Sequence, residues 1–538
     1  MRKLWLITTA VVLSVVWTTC TSHWLMARWA WELDKVAPVP MWISQALAVP
    51  LMASLIVLAF KAVTSGKRVP VVYACYAAWF LLLYLGYAPG CLTEDSYYAF
   101  HMVKNGWWDG WYSPLHPALL TAFVQILPWE FNAPGIFLAL LWAAVYTAAH
   151  GTLSAMNAGR LPHCLLALLL LLPAQVASSI IIIRDGYFTA LYLLFVIAIF
   201  RTVRGGQALA AMQMVGLAVL GATLMIYRTD AIPGVLIGLG LAFVLQVRRQ
   251  RSTRLVNGML LVLPVMAAFA FSDTVPRLLE RDNWERGNTW GIRSEAEYKL
   301  TLIESPLGYI ASRSDGAVSN LDRRAIEGVF TFADLKSYHC PGNLCVFYGG
   351  HWNRKASHKD REAAFKAALN VFADNPRLFI ESRIATMDTV GDRNSQTICS
   401  RSLMAQRGYA HLDVIKPVGE FGLAMVKWMQ RTETSKGLLG GRSVWWNVYI
   451  GMLLCVAIIV SFRWTPASSI AATVLLVRTL VVIAAAPAGF TVYYLTLFVG
   501  GAVLAVLWMC EFRAQRRWPR MSLRRAREDQ ALVHGASP

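Results

Sequence analysis

Acidic side chains are scarce over most of this chain, and their distribution is informative. Outside Asp273–Arg442 only eleven occur, against twenty within it. Five of the eleven lie in short flanks or the tail (Glu32, Asp34, Glu511, Glu528 and Asp529). The other six, Glu94, Asp95, Asp109, Glu130, Asp185 and Asp230, stand among long apolar runs. An ionised carboxylate beside hydrocarbon is costly, so such residues are usually paired, wetted or functional. Internal repeats and low-complexity segments are also missing, which removes repeat architectures. There is no second CxxC and no close pair of histidines, so a structural zinc site lacks its ligands. No small-residue cleavage site follows the first apolar stretch, and Trp17-Thr18-Thr19 before Cys20 is a poor lipoprotein signal, so that stretch reads as a permanent helix.

What the chain has in quantity is apolar length. Of 538 residues, 57% are hydrophobic, and runs of about 20 residues, enough to cross a ~30 Å hydrocarbon core, recur throughout. Twelve crossings are predicted, at Leu4–Met26, Met41–Ala62, Pro70–Tyr87, Ala133–Gly151, Leu165–Ile183, Gly186–Phe200, Ala208–Tyr227, Ala231–Val247, Leu255–Phe271, Val444–Phe462, Ala467–Ala486 and Phe490–Cys510. His116–Trp129 is too short to span comfortably and is assigned as a re-entrant or interfacial helix; counted as a span, it makes thirteen. The expected fold is an all-α polytopic membrane protein with 12–13 transmembrane helices and a large extracytoplasmic segment before the last three.

Charge sets the orientation. The net charge of +19 would suggest nucleic acid in a soluble protein, but here the basic residues cluster in short loops, the signature of a cytoplasmic side. Arg248–Arg254 and the tail from Arg513 to Arg527 are the clearest clusters. With both termini cytoplasmic, Lys61, Arg160 and Arg201–Arg204 fall inside. Gly90–Leu115, Arg184-Asp185 and Tyr227–Asp230 fall outside. The chain then divides into an N-terminal transmembrane region (1–272) carrying the outer loop 90–115, an extracytoplasmic loop domain (273–443), C-terminal transmembrane helices (444–511) and a basic tail (512–538). The loop domain reads as irregular, punctuated by Pro306, Pro341 and Pro376. One amphipathic helix stands out from Asp360, with Ala364, Phe365, Ala368, Val371 and Phe372 at helical spacing; it packs either on its own domain or on the membrane surface. Most cysteines sit in apolar helices as small hydrophobes. Cys340-Pro-Gly-Asn-Leu-Cys345 is a short outer loop suited to a disulfide in an oxidising compartment.

The outer loop runs from Cys91 through Glu94-Asp95 to Trp107-Trp108-Asp109 and His116-Pro117. Carboxylates followed by aromatic residues and histidine suit a site for a polar group near lipid, where an aspartate acts as general base or holds a divalent metal. The simpler alternative is an interfacial loop, since Trp and Tyr gather at membrane surfaces.

Asp95 after an early helix, His116-Pro117 opening the next apolar segment, and Arg184-Asp185 beginning a later helix together resemble the GT-C superfamily. These integral-membrane glycosyltransferases use lipid-phosphate-linked sugars as donors. The run from Phe365 through Pro376 to Glu381 is a weaker match, similar to an amphipathic helix many members carry. Where many members begin a late helix with Arg-Tyr, this chain has Gly489–Tyr494, and Arg478 is the candidate substitute. The resemblance implies Asp95 as the base that deprotonates the acceptor hydroxyl. The leaving lipid phosphate needs positive charge, for which Arg184 and Arg228 are candidates, with His116 a nearby donor. Glu94, Asp185 and Asp230 would orient those arginines or bind sugar hydroxyls; each is equally well read as half of a helix-end ion pair.

The expected activity is inverting transfer of a sugar from a polyprenyl-phosphate donor to a glycan or lipid acceptor, on the outer face of a bacterial inner membrane. No resident cofactor is identified beyond a divalent metal as an option, and nucleic acid is not expected as a partner. Two alternatives share the features: a polymerase of lipid-linked oligosaccharides, and a transporter or flippase of an anionic substrate. Against transport stand the absence of a repeat and the placing of acids at helix ends rather than at the midplane.

Overall fold

The computed structural model describes residues 8–16, 46, 48–50, 69–86, 95–96, 99, 102, 113–127, 132–205, 211–249, 254–285, 295–314, 318–390, 424, 427–428, 431–432 and 444–534. Most of the first two crossings, Glu94, Asp109, Glu130 and most of the Gly90–Leu115 loop lie outside the described residues.

The described regular structure is helical. In the membrane region it comprises α1 (Val69–Gly86), α2 (Leu115–Ile126), α3 (Asn132–Ala155), α4 (Arg160–Leu168), α5 (Pro173–Ile180), α6 (Arg184–Arg204), α7 (Ala211–Tyr227), α8 (Ile232–Arg249) and α9 (Arg254–Glu285). The loop domain holds α10 (Glu295–Arg313), α11 (Asn320–Glu327), α12 (Phe332–Tyr338), α13 (Cys345–Tyr348), α14 (His358–Asp374) and α15 (Pro376–Asp388). Then follow α16 (Val448–Val460), α17 (Pro466–Ala485) and α18 (Leu495–His534). Among the described residues five helices are long and apolar enough to cross a membrane, namely α1, α3, α6, α17 and the first part of α18. This is an all-helical, multi-pass membrane protein.

Three expected boundaries differ. Leu165–Ile183 is not one straight span: α4 and α5 meet at a bend of 62°. Pro173 has no N–H to give the helix and holds Leu172 extended (φ −63°, ψ 129°), so the helix stops and restarts there. The break at Asp273 is absent, because α9 runs on to Glu285 with Pro264 and Pro276 inside it. The tail beyond Cys510 continues α18 as helix to His534. α2, at twelve residues or ~18 Å, is too short to cross, and of those residues only Leu119 is not buried.

α6 is the axis of the membrane region, packing against α3, α5, α7, α8, α17 and α18. Phe188, Tyr192, Phe195 and Phe200 on it are buried, as expected of a helix enclosed on all sides.

The described part of the loop domain, up to Val390, is regular where prolines suggested irregularity. Pro306 lies within α10, and Pro376 takes the first turn of α15, where its missing N–H costs nothing. Three helices begin with a hydroxyl accepting from the backbone N–H three residues on: Ser319 from Asp322, Thr331 from Asp334 and Ser357 from Asp360. Each such cap contributes about 1 kcal/mol. The amphipathic helix α14 buries Ala364, Ala367, Ala368 and Val371 against Leu300, Ile303 and Ile326, so it packs within its own domain. Buried Glu297 pairs with half-buried Arg361 at 2.8 Å and ties α10 to α14.

Cys340 and Cys345 form a disulfide, with Cα atoms 5.9 Å apart. Beside it Glu304 is buried, its carboxylate accepting from Val346 N (2.7 Å) and Phe347 N (3.1 Å). Burial outweighs those two donors and pushes the Glu304 carboxyl up to about 7.

α15 docks the domain on the membrane helices. Buried Arg383 donates to the Ala486 carbonyl (2.8 Å), and the Tyr449 hydroxyl donates to Asp388 (2.8 Å). Burial lowers the Arg383 guanidinium to about 10, which still leaves it charged at neutral pH. Gly489 lies so close to Thr386 and Thr389 that a Cβ there would collide with both.

Candidate functional site

Four charged residues singled out by their cost in apolar sequence form one chain. Arg228, in the turn between α7 and α8, is extended (φ −150°, ψ 124°), which frees its side chain to point along the bundle. Its Nη1 donates to Asp185 and its Nε to Asp230 (2.9 Å). The second oxygen of Asp230 accepts from Arg478 Nη2 (2.9 Å), and Arg478 Nη1 donates to the Tyr493 carbonyl (3.0 Å). The order Asp185–Arg228–Asp230–Arg478 thus alternates sign and joins α6, the turn before α8, and α17. Asp185 also lies in the first turn of α6, where the helix dipole favours a carboxylate. Arg478 is only 1% exposed, and removing one member of such a buried pair costs about 3–5 kcal/mol because its partner keeps an uncompensated charge.

Aromatic faces frame the chain. The guanidinium of Arg478 lies 4.8 Å from the Phe188 ring centroid, and that of Arg228 lies 5.5 Å from the same ring and 5.3 Å from Tyr493. These are cation–π distances that strengthen as water is excluded. The Tyr192 hydroxyl donates to the Val474 carbonyl (2.9 Å), and Gly234 leaves room for both: a Cβ there would lie 2.8 Å from that carbonyl. From α10, Tyr298 comes within electrostatic range of Arg184, Arg228, Asp230 and Asp185.

His116 is fully buried, with Nδ1 2.6 Å from the Tyr227 hydroxyl. It therefore braces α2 against the Tyr227–Arg228 turn, beside the arginines expected at the leaving group. Asp95 is exposed; its neighbour Ser96 is buried and donates to the Ile182 carbonyl, two residues before Arg184. Asp95 is thereby held near the start of α6. Arg184 is half-buried in the first helical position there. Glu94 lies outside the described residues. The structure thus brings Asp185, Arg228, Asp230 and Arg478 into direct contact, with His116, Arg184 and Asp95 around them, and it places the Cys340–Cys345 disulfide in the loop domain. Among the described residues no three His, Cys, Asp or Glu side chains gather as metal ligands.

Sequence reading missed Tyr227, Phe188, Tyr298 and Glu511. Tyr227 had a signal, standing directly before Arg228. Glu511, placed with the tail, is fully buried and caps the start of α17: its oxygens accept from Ala467 N (3.1 Å), Ser468 N (2.9 Å) and Ser468 Oγ (2.7 Å). Its position one residue after the apolar run was the available sign. Compared with known proteins, the chain matches no family model, no curated protein and no solved structure.

Proposed function

We propose that the chain is an integral-membrane glycosyltransferase, moving a sugar from a polyprenyl-phosphate donor to a glycan or lipid acceptor of the cell envelope. In this reading the loop domain and the ion chain face outward from a bacterial inner membrane, and both termini are cytoplasmic. The observation that carries it is the placement of exposed Asp95 beside the charged first turn of α6, through the anchoring of Ser96 to Ile182. Asp95 takes the proton of the acceptor hydroxyl as that oxygen bonds to the anomeric carbon. The bond from that carbon to the phosphate oxygen breaks on the opposite face, the configuration inverts, and the lipid phosphate leaves with the electron pair.

The ion chain divides the labour among the arginines. Arg228 is occupied by two carboxylates and Arg478 by one, so they act as struts. Arg184, half-buried at the first position of α6, is the arginine that meets the developing phosphate. Tyr298 helps exclude water from this end.

Cells lacking the chain should lose one sugar from an envelope glycan or lipid, read by mass spectrometry. Wild-type protein should restore it, and Asp95→Asn, reaching the membrane in equal amount, should not. An unchanged profile in the deletion strain overturns the reading; full restoration by Asp95→Asn removes that residue as the base.

A further inference from the structure

The far end of α6 has a cavity of about 1080 Å³, enclosed by the α3–α4 turn, the last turn of α6, the start of α7 and α18. Four arginines line it (Arg160, Arg201, Arg204 and Arg513), and among the described residues no acidic side chain does. Glu511 lies 4.0 Å from Arg204 and already accepts three hydrogen bonds from Ala467 and Ser468. Among the described residues Arg160, Arg201 and Arg513 make no ion pair. All four arginines are exposed to the cavity mouth, and together they make a concentrated positive field that favours an anion there.

The rest of the lining narrows the anion's nature. Leu217 and Leu220 extend the wall along α7, two turns in from its start, where polar lining gives way to hydrocarbon. On the same helix Met212 (81% exposed) and Val219 (49% exposed) point outward as lipid-facing side chains do. A free anion would satisfy the arginines and leave the apolar wall bare; an amphiphile fills both.

We infer that this cavity binds an anionic phospholipid, its phosphate among Arg160, Arg201, Arg204 and Arg513 and its acyl chain along Leu217 and Leu220. The site is separate from the ion chain, and the inference does not depend on the proposed activity.

Binding is tested on full-length protein in neutral detergent, by native mass spectrometry and thermal unfolding, with phosphatidylglycerol, phosphatidylcholine and inorganic phosphate as probes. Phosphatidylglycerol should stay bound and raise the unfolding temperature, more weakly as salt increases. Phosphatidylcholine should do neither, and millimolar inorganic phosphate should not displace the lipid. Each arginine near a phosphate is worth a factor of about five, so Arg201→Gln with Arg513→Gln should weaken phosphatidylglycerol at least about 10-fold. Arg248→Gln, on another loop, should leave binding unchanged. Equal retention of phosphatidylcholine overturns the proposal, as does undiminished binding by a folded double variant. Inorganic phosphate that competes as well as the lipid reassigns the cavity to a soluble anion and refutes the lipid. Should the double variant not fold, the wild-type arms decide alone.

Discussion

The two ends of α6 treat charge in opposite ways. At Asp185 every arginine of the chain finds a carboxylate: Arg228 takes two and Arg478 one. About 25 Å away along the same helix, Arg201 and Arg204 join Arg160 and Arg513 around a cavity with no acid in its lining among the described residues. Matched charges inside a protein hold elements at fixed distances; unmatched charges at a cavity leave binding capacity unspent. One end is therefore held rigid by paired charge, and the other leaves its positive charge available.

Breaking the matched end should have the largest effect. Asp230→Ala leaves both Arg228 and Arg478 short of a partner, and should lower stability by about 3–5 kcal/mol in detergent unfolding. Glu304, which among the described residues has two backbone donors and no cation, sharpens the contrast through pH. Its carboxyl is raised to about 7 in the folded protein, so the stability it contributes is fully present below about 4.5, falls as pH rises to about 7 and is level above that. The span of that loss is on the order of 3 kcal/mol. Glu304→Gln should abolish this slope in a comparison of unfolding temperatures across that window, and an unaltered slope would show that Glu304 is not its source. The unmatched end should respond least. Arg201→Ala, in protein stripped of lipid, should shift stability by no more than about 0.5 kcal/mol, as exposed substitutions generally do. A loss near that of Asp230→Ala would mean that Arg201 is a structural member of the bundle and that the contrast is false.

The sequence made the charged members of the ion chain visible, because an acid or arginine in an apolar run is conspicuous. Their pairing was not visible. Asp230 and Arg478 are 248 residues apart, and only the packing of α8 on α17 brings them together. Arg228 read as a phosphate partner that Asp185 and Asp230 would orient, and in the fold both carboxylates do accept from it. His116 was chosen for its chemistry, which says nothing of burial. In the loop domain Pro306 and Pro376 suggested broken structure, yet one is tolerated within α10 and the other suits a first turn. The better signal lay in Ser319-Asn-Leu-Asp, Thr331-Phe-Ala-Asp and Ser357-His-Lys-Asp, a hydroxyl and an acid at capping spacing before each helix. Apolar length gave the helices themselves, though not the bend at Pro173, where uninterrupted hydrophobicity on both sides hid the break.

Reconstituting the purified chain in liposomes with polyprenyl-phosphate-linked, radiolabelled sugars extracted from its own cells tests the proposed activity most directly. The account expects labelled sugar to pass to an envelope acceptor with release of polyprenyl phosphate, and Asp95→Asn to slow that transfer by about 10²–10⁴-fold with the fold intact. Transfer by Asp95→Asn at the wild-type rate, or label that never leaves the lipid while the wild-type protein restores the glycan in cells, would contradict it.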